Sequence, residues 1–295
     1  MTSAPASHRR ALALMLLSAL AFTANVLLVR LLSTMDAANV WLISVSRGLV
    51  GLAMICTVYW PEFKPTHLWR NRKLIERGVA GGIGLYVTYL AIVKLGAGRA
   101  TFINNTYVIW GALLAVWILR ERLRASLVAG SIIALAGLAL LTNVFAAGSH
   151  FQPYDLLAVA GALLSGWVVV TIRQLHATEH TSTIFAAQCA YAVVISFLPT
   201  GLTYQPLPPA AWAIMVAAGV TAGIGQLTMT RAFRDIPVGE GALLQMLVPL
   251  GIAAGGIAFF HERFSAQEAI GAALILGGTA FSALRTATPA NAEAE

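Results

Sequence analysis

Glu121–Leu141 reads "ERLRASLVAGSIIALAGLALL", and Glu262–Ser282 reads "ERFSAQEAIGAALILGGTAFS". Both open on Glu-Arg, carry Ala at the fifth place and Gly at the tenth and seventeenth, and stand 141 positions apart. The match runs backwards without a gap: "GVAGGIG" at Gly78–Gly84 has its mate, at the same offset, in "GVTAGIG" at Gly219–Gly225. The first and sixth apolar blocks align at an offset of 143, which sets Arg30 opposite Arg173. The chain is therefore written twice, as 10–145 and 152–285.

Composition says what each copy is made of. The chain has 295 residues, of which 58% are hydrophobic and 11% charged, with mean hydropathy +0.77. A soluble domain carries roughly 25% charged residues, so charge is too sparse here to cover a soluble surface. The apolar residues come in blocks of about 20, the length a helix needs to cross hydrocarbon. Read against charged and Pro/Gly breaks, the sequence predicts an all-α membrane protein with ten transmembrane helices. They fall near 11–29, 38–60, 75–93, 99–119, 125–145, 153–172, 181–199, 209–230, 238–260 and 265–284. The longest breaks are "PEFKPTHLWRNRK" and "PTGLTYQPLPP". The first block has a basic start, but its apolar run continues to Val29, which is longer than a signal-peptide core; it reads as the first spanning helix.

Orientation follows from Lys and Arg. With the N-terminus inside, fourteen of the 19 basic residues fall in inner segments, Arg77 among them. Four, Arg30, Lys94, Arg99 and Arg263, fall in outer ones, and Arg47 lies within the second helix. This bias puts both termini in the cytoplasm of a multi-pass protein. Each copy holds five helices. An odd number makes the second copy enter the membrane from the opposite side, so the expected fold is two inverted five-helix repeats around a central cavity, an arrangement of transporters.

The end of each copy, a helix, then Glu-Arg-Leu or Glu-Arg-Phe, then a helix with glycines seven apart, resembles the EamA-domain transporters of the drug/metabolite transporter superfamily. "VPLGIAAGGIAFFHERFSAQEAIGAALILGGTAF" at Val248–Phe281 carries the resemblance best, and it extends over nearly the whole chain. The resemblance implies ten helices around a cavity, a bacterial-type inner membrane, and export of amino acids or other small metabolites, the exporters of neutral and aromatic amino acids being nearest in layout. One departure stands out: where relatives often have Glu before the proline of the ninth helix, this chain has Val248 before Pro249, and the first copy has Val108 at the proline's place.

Polar side chains at depth in the bilayer are costly, and they mark sites. Asn104 and Gln245 are repeat mates, both carboxamides about five residues inside their helices, with Thr101 one turn before and Asn105 beside Asn104. A carboxamide donates and accepts, which suits both ends of a zwitterion; the competing reading is a hydrogen bond between helices. Gly219, Gly223 and Gln226 share one face of the eighth helix, and Gly78, Gly82 and Tyr89 one face of the third, with Tyr86 on a neighbouring face. The glycines read as close helix contacts, Gln226 and the tyrosines as cavity candidates. Trp110 and Trp167, near mid-span, read equally as an apolar wall of a substrate site or as packing. Asn25, late in the first helix, falls where the family also tends to be polar. Arg47 lies about nine residues into its helix, roughly 13 Å deep; it reads either as counter-charge for a substrate carboxylate or as a structural arginine.

Other classes find little support. The basic residues are scattered between apolar blocks, so net charge +7 does not imply nucleic acid. Cys56 and Cys189 stand inside apolar blocks and are expected to pack. No nucleophile–base pair or metal-ligand spacing is visible, so neither an enzyme nor a metal or cofactor site is expected. Glu76, Asp155 and Glu240 fall at helix starts, where a negative charge suits the helix dipole. No carboxylate falls mid-membrane, which disfavours a proton-coupled pump for cationic drugs. A small-molecule substrate and the lipid bilayer are the expected partners, for a monomer or a homodimer. Nucleotide-sugars, organic phosphates or drugs are the alternative cargo.

Overall fold

A computed structural model describes residues 4–35, 39–95, 97–144, 151–261, 263 and 265–287. The regular structure among them is helical. Buried away from water, a backbone must satisfy its own N–H and C=O groups, and a helix does so within one segment. The first repeat contains α1 (Ala4–Thr34), α2 (Val40–Val58), the short α3 (His67–Arg70), α4 (Arg72–Leu95), α5 (Ala97–Asn105), α6 (Tyr107–Leu114) and α7 (Ala125–Leu141). The second contains α8 (Pro153–Leu175), α9 (Thr181–Thr203), α10 (Pro209–Ala232), α11 (Val238–Leu244), α12 (Leu247–Phe260) and α13 (Ala266–Ala287). Among the described residues, seven helical stretches are long and apolar enough to cross a membrane, and Ala125–Leu141 is apolar but shorter.

The packing repeats as the sequence does. The helix α1 packs on α10 and α12, while its mate α8 packs on α4 and α6, the mates of those two. The contact of α2 with α10 is answered by α9 with α4. The pairs α2–α9 and α7–α13 each join one helix to its own mate. This is the pattern of a pseudo-two-fold axis.

Glycine makes the closest of these contacts. A Cβ at Gly130 would lie 2.6 Å from the Gly278 carbonyl oxygen, and one at Gly137 would lie 2.6 Å from that of Gly271. The glycines seven apart in the two opening segments therefore form one seam between α7 and α13. Gly78 and Gly82 of α4 press on Tyr191 and Ile195 of α9, and Gly219 and Gly223 of α10 press on Val50 and Met54 of α2. Small residues let membrane helices gain van der Waals contact where apolar burial alone supplies none. Of the two cysteines expected to pack, Cys189 is buried against Gly51, while Cys56 is exposed.

Two expectations need correction. The stretches 99–119 and 238–260 are not single α-helices. Each breaks near its first third, between α5 and α6 and between α11 and α12. In the second repeat Pro249 has no N–H for the Gln245 carbonyl, and tighter bonds span the break, from Met246 N–H to Leu243 and from Val248 N–H to Gln245. The first repeat breaks at the matching place without proline: Thr106 N–H bonds Ile103, and Ile109 N–H bonds Thr106. A π-helical turn, Ala115–Leu119, then ends this segment. The break "PEFKPTHLWRNRK" is also structured, holding a 3-10 turn at Trp60–Glu62 and then α3. His67 Nδ1 and Asn71 Nδ2 bind the buried Glu179 carboxylate at 2.8 and 2.9 Å, which fastens this segment to the α8–α9 turn.

The Glu-Arg motif has a backbone cause as well. Arg120 and His261, repeat mates immediately before it, share φ 55° and ψ 32°. This left-handed residue ends the preceding helix and turns the chain. Burial pushes the His176 imidazole, just past α8, below its usual range, and its Nε2 meets the Thr230 carbonyl at 2.6 Å.

Candidate functional site

The two helix breaks face one another across a cavity of about 350 Å³. Thr101, Asn104 and Asn105 line it from the first break. Gln245, Val248 and Pro249 line it from the second. Asn25 and Phe22 come from α1, Arg47 from α2, Gln226 from α10 and Gln188 from α9. Ala80, Gly81, Gly84 and Thr88 of α4, Tyr107 of α6 and Ser165 of α8 complete the polar and small surface. Among the described residues, Arg47 is the one charged side chain in the lining.

Hydrogen bonds decide what these carboxamides offer. Asn25 donates to the Ala218 carbonyl at 2.8 Å, and Asn105 donates to that of Thr101 at 2.8 Å. Gln245 gives its amide hydrogens to Met15 Sδ and Ser18 Oγ, both at 2.9 Å. Each of these three has its NH2 engaged by the protein and keeps its carbonyl oxygen as an acceptor. Asn104 is the reverse: its oxygen accepts from Thr88 Oγ1 at 3.3 Å, which leaves its NH2 as a donor. The lining thus offers acceptors from three sides and donors at Asn104, Gln188 and Arg47. The Arg47 guanidinium stands 5.9 Å from the Phe22 ring centroid, with no hydrogen bond or ion pair to the described residues.

Of the side chains singled out from sequence, Asn25, Arg47, Thr101, Asn104, Asn105, Gln226 and Gln245 meet in this cavity. Tyr86 does not; its ring stacks on Trp41 with centroids 4.3 Å apart. Trp110 packs against Gly166 of α8, and Trp167 is half-buried outside the lining. The side chain of Tyr89 lies outside the described residues. Thr88, Tyr107, Ser165 and Gln188 of the lining escaped the sequence reading, as did Arg77 behind it. Gln188 is a mid-span amide, visible by the same rule that picked Gln245. Arg77 sorted with the inner loop cations because it begins the third apolar block, yet it is fully buried beside Gln188.

Both copies of the sequence match one family. Residues 9–143 and 152–284 each match the EamA-like transporter family. The chain belongs to that family and is an EamA-type member of the drug/metabolite transporter superfamily. It is 24% identical over 204 residues to the pseudopaline exporter CntI of Pseudomonas aeruginosa (strain UCBPP-PA14), covering 69% of this chain and 72% of that one. It is 23% identical over 248 residues to an uncharacterized transporter of Helicobacter pylori (strain J99), covering 78% and 80%. One crystal structure, 23% identical, has the same fold with a TM-score of 0.72 over 97% of this chain and 98% of that one.

Proposed function

We propose that this transporter exports small zwitterionic metabolites, neutral and aromatic amino acids first among them, by alternating access. The observation that carries the reading is the cavity between two broken helices, lined by carboxamides and one arginine with no acidic side chain among the described lining residues. Broken helices put unpaired backbone and side-chain dipoles at mid-depth, where transporters hold their substrates. The carboxamide oxygens suit an ammonium group, and Arg47 suits a carboxylate. That a relative is named an exporter supports the direction of flux.

The proposal extends to topology. In this reading each broken pair counts as one of ten crossings, and the two repeats take opposite orientations in a bacterial-type inner membrane. Both termini are then cytoplasmic, in agreement with the Lys and Arg bias. Organic phosphates and nucleotide-sugars fit less well, because several cations would be needed in the lining.

Counterflow in proteoliposomes tests this, with a panel of labelled amino acids, with and without a pH gradient. Uptake of several neutral amino acids without the gradient is the expected result. No uptake of any, by intact reconstituted protein, overturns the amino-acid reading.

A further inference from the structure

Arg77 is the largest fully buried side chain among the described residues. Its Nη2 donates to Gln188 Oε1 at 2.7 Å, while its Nε and Nη1 have no hydrogen-bond partner among the described residues. A buried guanidinium with open donors and no counter-ion is costly, and such a charge is retained where something compensates it. Its surroundings say where compensation would come from. Gln188 and Gly81 line the cavity, and Arg77 stands directly behind both. A Cβ at Gly81 would lie 2.6 Å from Arg77 Nη1 and 3.2 Å from Gln188 Cγ, so the glycine leaves the room that the guanidinium occupies beside the wall. Because Gln188 gives its oxygen to Arg77, its NH2 is the donor left for the cavity. Arg47 lines the same cavity without a carboxylate partner.

We infer that Arg47 and Gln188 form a carboxylate-binding subsite, with Arg77 as the positioning residue behind it, and that a carboxylate is an obligatory feature of the transported molecule. Arg47 meets the carboxylate by charge-assisted hydrogen bonds. Gln188 adds a neutral donor whose direction Arg77 fixes. A substrate carboxylate held there also places a negative charge near the buried Arg77 guanidinium. An ammonium group on the substrate is accommodated by the acceptors elsewhere in the lining but is not required. This assignment rests on the reading of the cavity as the transport site, and it specifies the class of molecule held there.

The test is binding of three probes to the purified full chain in detergent, by titration calorimetry. The probes are phenylalanine, 3-phenylpropionate, which keeps the carboxylate and lacks the amine, and phenylalaninamide, which lacks the carboxylate. Wild type is expected to bind the first two at least tenfold more tightly than the amide. Arg47→Gln, at a partly exposed position, abolishes that preference. Arg77→Lys retains it and Arg77→Gln loses it, with both proteins monodisperse, a difference that packing alone does not produce. Equal binding of amide and acid, a preference that survives Arg47→Gln, or no binding of either carboxylate probe overturns the assignment. If phenylalanine fails in counterflow while 3-phenylpropionate binds through Arg47, the amino-acid reading falls and the carboxylate subsite stands.

Discussion

Glu121 Oε1 lies 2.6 Å from Arg173 Nε, and its other oxygen accepts the Val238 N–H at 3.1 Å. One carboxylate of the first repeat thereby holds the end of α8 and the start of α11, both in the second. Arg173 also donates through Nη1 to the Phe233 and Ile236 carbonyls, so the junction of three segments depends on this pair. A second relation crosses the repeats twice. Arg99 forms two hydrogen bonds with Asp155 at 2.8 and 2.7 Å, and Glu240, the repeat mate of Arg99, pairs with His8 at 3.2 Å. The same helices meet in both cases, α5 with α8 and α11 with α1, with the acidic and the basic partner exchanged.

Glu121→Ala removes both the ion pair and the acceptor at the start of α11, and we expect a loss of about 2 kcal/mol. Glu121→Gln keeps an oxygen for the Val238 N–H and loses roughly half as much. Thermal unfolding of the two variants in the same detergent gives the order; identical midpoints for Glu121→Ala and wild type would show that the junction contributes nothing to stability.

The seam between α7 and α13 has its own control. Gly278→Ala places a methyl group 2.6 Å from the Gly130 carbonyl and 2.9 Å from the Ala134 nitrogen, both backbone atoms that cannot rotate away. Gly277→Ala meets nothing within 4 Å. We expect Gly278→Ala to cost about 1–3 kcal/mol, the range for overpacking, and to reduce the yield of monodisperse protein. Gly277→Ala is neutral or slightly stabilising, since alanine is the better helix former. Equal melting temperatures for the two variants would contradict the seam.

Asn104 and Gln245 are sequence mates with unequal duties. The Gln245 amide ties α11 to Met15 and Ser18 of α1, so Gln245→Ala is expected to lower stability by about 0.5–2 kcal/mol, the scale of a hydrogen bond between membrane helices, as well as transport. Asn104→Ala loses a bond of 3.3 Å to Thr88 and a free donor in the cavity. Transport by this variant should fall about tenfold, ~1.4 kcal/mol of substrate interaction, with the melting temperature unchanged. Parallel counterflow and unfolding measurements separate the two; a matching loss of stability in Asn104→Ala would assign it to structure instead.

The sequence alone determined the two-fold plan. Segments repeated 141 residues apart, apolar blocks of helical length and glycines at matched positions are local properties of the chain; the glycines announced close helix contacts, and the structure chose their partners, α7 with α13 and α4 with α9. The same rule, that polar residues at depth are informative, found seven side chains lining the cavity. It passed over Gln188, to which it applied equally.

Only the tertiary structure decided the rest. The break in the first repeat has no proline to announce it; backbone bonds from Thr106 to Ile103 and from Ile109 to Thr106 make it, with the Thr106 hydroxyl also donating to the Ile103 carbonyl. Tyr86 and Trp110 stand at the depth of cavity residues, but ring stacking on Trp41 and packing on Gly166 hold them elsewhere. Arg77 reads as a loop cation by its place in the chain. It is buried because α9 brings Gln188 to its guanidinium and Gly81 leaves it room. Charge, hydropathy and repeat can be read along one strand of sequence, whereas the partner that completes or withholds a hydrogen bond comes from a helix a hundred residues away.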